Sequence, residues 1–71
     1  MATVQINVDK LHAIMAQRQW SEQDLAREMG LAYSFVNRLV NGRRGVGSKA
    51  MAGLYLAGIG WDEVLEVVPN G

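Results

Sequence analysis

Apolar positions along this chain come in short bursts at helical spacing, each closed by glycine or another stop. From Val8 to Arg18, Leu11, Ile14 and Met15 share one face. Asn7 stands ahead of them as an N-cap, its side-chain oxygen able to accept an orphan amide of the first turn. Ile6 and Leu11 have the N′/N4 spacing of a hydrophobic staple. The second burst is Leu25, Ala26 and Met29, and it starts at Ser21. Glu22 and Asp24 fill its first turn, where the helix dipole favours negative charge. Ser21-x-x-Asp24 resembles a capping box, Trp20 and Leu25 repeat the staple spacing, and Gly30 supplies the stop.

The third burst runs from Tyr33 to Val40, with Val36 and Leu39 on one side and Tyr33, Ser34, Asn37 and Arg38 on the other. An isolated helix needs about 12–15 residues to be even marginal in water, so this one must be carried by its neighbours. Its polar face is then free to touch something else. Only Leu31 and Ala32 separate it from the second helix, and a glycine lies in the turn, which predicts a helix-turn-helix over about 21–41. Asn41-Gly42 closes the run.

Glycine-rich 42–47 reads as a loop. The pattern then predicts a fourth helix from Lys49 to Ala57, capped by Ser48, with Met51, Leu54, Tyr55 and Ala57 facing inward. Gly53 costs that helix about 1 kcal/mol relative to Ala, tolerable if a neighbouring helix packs close. Gly58-Ile59 looks like a Schellman stop with its hydrophobic follower. A last helix is expected from Trp61 to about Val67, with Asp62 and Glu63 in its first turn. Met1 to Ile6 is either an extended arm or a short edge strand. The expectation is an all-α fold, five short helices around one core, in a single domain spanning 1–71.

Composition narrows the function. There is no Cys and a single His, His12, so a disulfide framework, a Cys-based zinc site and a His cluster are all excluded. No Ser or Thr is paired with a base and an orienting group, so an enzyme is not expected, nor a cofactor, metal or small-molecule ligand. The start of the chain lacks the basic and apolar regions of a signal peptide, and the longest apolar stretches fall far short of the ~18 residues of a membrane helix. A soluble cytoplasmic protein with no membrane partner is expected. With 71 residues, a ligand-sensing domain beside the helices is not expected.

The net charge is zero, yet its distribution is uneven. Between Tyr33 and Tyr55 lie Arg38, Arg43, Arg44 and Lys49 and no acidic residue, whereas Asp62, Glu63 and Glu66 follow without a basic one. Such asymmetry suits one anion-facing surface, or it is a fluctuation among seven charges of each sign.

The run from Trp20-Ser21-Glu22-Gln23-Asp24-Leu25-Ala26-Arg27-Glu28-Met29-Gly30 through Val36 and Leu39 to Asn41-Gly42-Arg43-Arg44 resembles the Cro/repressor-type (XRE-like) helix-turn-helix domains. Gly58-Ile59-Gly60-Trp61-Asp62-Glu63-Val64-Leu65 is similar to that family's closing segment. The resemblance covers about residues 8 to 67. It implies a lambda-repressor-like, all-helical domain whose third helix enters the major groove of double-stranded DNA, usually as a homodimer on two half-sites. Tyr33, Ser34 and Arg38 match base-reading positions, with Asn37 and Phe35 nearby. Ser21, Asn41, Arg43 and Arg44 match positions that hold the phosphate backbone. The chain departs from the pattern at Glu22, where the family often has Gln, at Ala32, which cannot cap, at Val40, where an acidic residue is common, and in a loop one residue short.

The chemistry of these positions is weighed residue by residue. Arg38 can donate two bonds to guanine O6 and N7, worth roughly 1–3 kcal/mol of discrimination, or can be an exposed helix arginine or a salt-bridge partner. Ser34 and Asn37 can bond base edges or phosphates, or their own backbone. Tyr33 and Phe35 can meet DNA or pack at the edge of the core, Phe35 by folding back against the fourth helix. Arg43 and Arg44 would position the protein on phosphates or lie solvated. Lys49 opposes the helix dipole, which suggests a phosphate partner. Trp61, Val64, Val67 and Val68 exceed what one small helix can hide, and some of them would form a dimer seam. The leading reading is a sequence-specific DNA-binding regulator, a small repressor or Cro-like switch of phage or mobile-element type. The alternative is a protein-interaction module of the same fold, an antitoxin or co-regulator.

Overall fold

The computed structural model describes residues 2–42 and 46–69. Strand β1 (Thr3–Ile6) leads into α1 (Val8–Arg18), α2 (Glu22–Met29), α3 (Tyr33–Val40), α4 (Ser48–Leu56), α5 (Trp61–Val64) and strand β2 (Leu65–Val68). The local start signals act as their chemistry dictates. Asn7 Oδ1 accepts the Lys10 amide at 3.1 Å at the head of α1. At α2, Ser21 Oγ accepts the Asp24 amide at 3.1 Å while Asp24 Oδ2 accepts the Ser21 amide at 2.9 Å, a complete capping box. Past the end of α4 the amide of Ile59 donates to Leu54 and that of Gly58 to Tyr55, the two bonds of a Schellman stop, with Gly58 at φ +72°.

The core lies where the helices meet. Leu11 from α1, Leu25 and Met29 from α2, Val36 and Leu39 from α3, Leu54 from α4 and Val64 from α5 are fully buried, with Ile59 between the last two helices. Helix α2 packs on α3 and α4, and α1 on α3 and α5. The small side of α4 meets α2 at Gly53, where an added Cβ would stand 2.9 Å from Met29 Cε. Close approach is therefore the reason for a glycine inside that helix.

Four expectations need correction. The fold is predominantly helical but not all-α, since β1 and β2 form an antiparallel two-stranded sheet pairing Thr3 with Val68 and Ile6 with Leu65. The last helix accordingly stops at Val64 rather than near Val67. Its single turn can gain little from propagation, whereas Leu65-Glu66-Val67-Val68 suits a pleated strand and finds a partner in β1. Glu66 reinforces the pairing by accepting Gln5 Nε2 at 3.1 Å and Asn7 Nδ2 at 3.0 Å. Ser48 does not cap α4; it is the first helical residue, and Gly47 occupies the cap position without a side-chain bond. Tyr55 does not face inward, being 74% exposed, because the inner stripe is Ala50, Gly53, Leu54 and Ala57, and Tyr55 lies one position around from it.

Candidate nucleic-acid interface

Helix α3 is amphipathic in the sense the motif requires. Val36, Leu39 and Val40 are buried, which absorbs Val40 into the core where an acidic residue could not go. The His12 imidazole Nε2 lies 2.8 Å from the Val40 carbonyl, a bond that needs the hydrogen on that nitrogen because a carbonyl only accepts. Ala32 opens α3 with an extended backbone and no side-chain cap bond.

The outward face carries Tyr33, Ser34, Asn37, Arg38 and Asn41 in one continuous strip. Tyr33 is 49% exposed, and Ser34 and Arg38 are exposed. Tyr33 shares a shallow hollow with Ser21, Glu22 and Gln23, so the starts of α2 and α3 open onto the same surface. Four of the expected contact residues are already engaged within the fold. Asn37 Nδ2 donates to Glu22 Oε1 at 2.7 Å, tying α3 to the first turn of α2. Asn41 Nδ2 donates to the Asn37 carbonyl at 2.6 Å and closes the last turn of α3. The Ser21 hydroxyl is used in the capping box, accepting the Asp24 amide and donating to Asp24 Oδ2 at 3.0 Å. Lys49 holds its ammonium 5.5 Å from the Phe35 ring centroid, a cation–π contact between α4 and α3. Phe35 itself is half-buried against the core, folded toward α4. Arg43 and Arg44 lie outside the described residues.

The expected dimer residues divide. Val64 is wholly buried in the core and is withdrawn from the seam. Val67 is 67% exposed, Trp61 is 45% exposed with its Nε1 donating to the Met51 carbonyl at 3.0 Å, and Val68 is half-buried. Tyr55 and Leu56 add exposed apolar area at the end of α4.

Among the described residues, the one clear titration shift lies beside this surface. Asp24 is held below its ordinary carboxylate value by the Ser21 amide, then by the Ser21 hydroxyl and the Arg27 guanidinium. Sequence reasoning missed the fork of Arg18, whose Nη1 and Nη2 donate to the Ala57 and Gly58 carbonyls at 2.8 and 2.9 Å while its guanidinium stacks 4.9 Å from the Trp20 ring. No local pattern could have signalled the two bonds to α4, because Ala57 and Gly58 lie 39 and 40 residues along the chain from Arg18. Glu22, a departure from the family pattern, uses its carboxylate to accept from Asn37.

A short turn between two packed helices, with a polar helix face held outward, is the architecture of a helix-turn-helix DNA-binding domain. The family model of the Cro/C1-type HTH DNA-binding domain matches residues 10–54, and the chain belongs to that family. It is a DNA-binding regulator by class. Comparison with curated proteins and with solved structures found no match. No helix among the described residues is long and apolar enough to cross a membrane.

Proposed function

We propose that this chain is a sequence-specific transcriptional regulator, a small repressor or Cro-like switch of phage or mobile-element type, acting by binding alone in the cytoplasm. It reads the major groove with α3 (Tyr33–Val40), as a homodimer on two half-sites. The observation that carries the reading is the outward strip of α3, in which Arg38 and Ser34 are exposed beside Tyr33 while the opposite face is locked into the core. Arg38 is the donor fork suited to guanine O6 and N7. Trp61 and Val67 are the exposed apolar residues that support a contact with a second copy.

Selection of bound DNA from random oligonucleotides tests this directly, since two symmetric half-sites would report both specificity and dimerisation. Binding should weaken with salt by about 0.9 log unit per log unit for each phosphate neutralised. Arg38→Ala should cost about 1–3 kcal/mol of preference at one base pair. Sequence preference that survives this substitution intact would sink the assignment of Arg38. A second reading, a protein-binding module such as an antitoxin or co-regulator, draws on the exposed Tyr55 and Leu56, the latter 67% exposed. Affinity for a partner protein that ignores salt, with no DNA selected, would favour it.

A further inference from the structure

Glu22 and Asn37 meet at the junction of α2 and α3, on the strip that faces outward. The carboxylate can only accept, so the Asn37 amide nitrogen must be the group turned toward it, and this fixes which way the side-chain amide points. The Asn37 Oδ1 takes no hydrogen bond from any described residue. Because no fully buried side-chain nitrogen or oxygen among the described residues lacks a partner, Oδ1 is not sealed from solvent. The pair therefore presents an amide oxygen and a carboxylate near Tyr33, acceptors of which the carboxylate carries a negative charge.

Base edges in the major groove differ in how they meet such a spot. Guanine offers the acceptors N7 and O6, thymine the acceptor O4 and a methyl, and adenine an N7 acceptor beside its amino group. Cytosine alone offers a donor, its N4 amino group, and no acceptor. We infer that Glu22 and Asn37 act together as a specificity-determining pair that selects cytosine at one position of the bound DNA. This rests on the major-groove reading of α3. The carboxylate also has a cost in general affinity, since it repels nearby phosphates whatever the sequence. The pair gives up strength for discrimination.

The experiment is a random-oligonucleotide selection run in parallel on the unaltered chain, Glu22→Gln and Asn37→Ala, with thermal unfolding followed by circular dichroism to establish that each variant is folded. Gln keeps the shape and the link to Asn37 but removes the charge and adds donors. The unaltered chain should enrich one position for cytosine. Glu22→Gln should reduce that cytosine preference by roughly 3- to 10-fold, the range one hydrogen bond can supply, and should bind non-cognate DNA more tightly. Asn37→Ala should broaden the same position. A purely structural tie would lower affinity alike at all sequences and would not raise non-cognate binding. If the folded variants enrich the same bases as the unaltered chain at every position, the inference is overturned while the DNA reading stands. If the unaltered chain enriches no DNA at all, the DNA reading falls and the inference falls with it.

Discussion

Gly53→Ala sets two effects of opposite sign against each other within one helix. Replacing an interior helical glycine by alanine should stabilise by about 1 kcal/mol through backbone entropy alone. At Gly53, however, the new methyl would lie 2.9 Å from Met29 Cε, 3.0 Å from Leu31 Cδ1 and 3.1 Å from Met29 Cβ. The first two are ends of flexible side chains and can swing aside. Met29 Cβ is fixed to the backbone of α2, and it can retreat only if α2 and α4 separate. Both Gly53 and Met29 are buried, so the separation opens space elsewhere in a packed core. Overpacking of this kind costs about 1–3 kcal/mol, which exceeds the helix gain. The expected net is a loss of about 1 kcal/mol, or a fall in the thermal midpoint of about 4–8 °C for a domain of this size. Urea unfolding followed by far-ultraviolet circular dichroism measures it, with an unchanged m value showing that the change is in stability. A variant as stable as the parent, or more stable, would refute the argument that the α2–α4 approach dictates the glycine.

Further outcomes follow from the same contacts. Arg18→Ala removes two bonds to the carbonyls ending α4 and the stack on Trp20, and should cost about 1–2 kcal/mol in urea unfolding, leaving the selected DNA sequence unchanged. Gly47→Ser adds a cap where an added Cβ meets nothing within 4 Å, and should raise stability by about 0.5 kcal/mol; a destabilised variant would contradict the assignment of Gly47 as the α4 cap. Asp24 has a lowered folded-state value, so its stabilising contribution is present above the ordinary 3.8 and is lost as pH falls through the lower folded value. Asp24→Asn should therefore melt earlier than the parent at neutral pH, the gap narrowing as acid protonates Asp24. A gap independent of pH would show that the charge on Asp24 is irrelevant to the cap.

What the sequence determined by itself is the set of features written within a few residues of chain. Asn7 and Ser21 announced the starts of α1 and α2, Gly30 and Gly58 the stops of α2 and α4, and the short spacing around Leu31 and Ala32 announced the helix-turn-helix. Caps and turns are local chemistry, so their signals survive without knowledge of the rest. Arg38 and Ser34 were legible as exposed for the same reason, since Val36 and Leu39 define the buried side of α3. Tertiary structure decided what depends on partners remote in sequence. Strand β2 forms because β1, at the other end of the chain, offers it a hydrogen-bonding edge, and no period in Leu65–Val68 could reveal that. Val64 left the expected dimer seam because the core had a place for it. Glu22 became a partner of Asn37, and Lys49 of Phe35, only when packing brought different helices together. A side chain's type limits the bonds it can make, and the fold chooses which of those bonds are within reach.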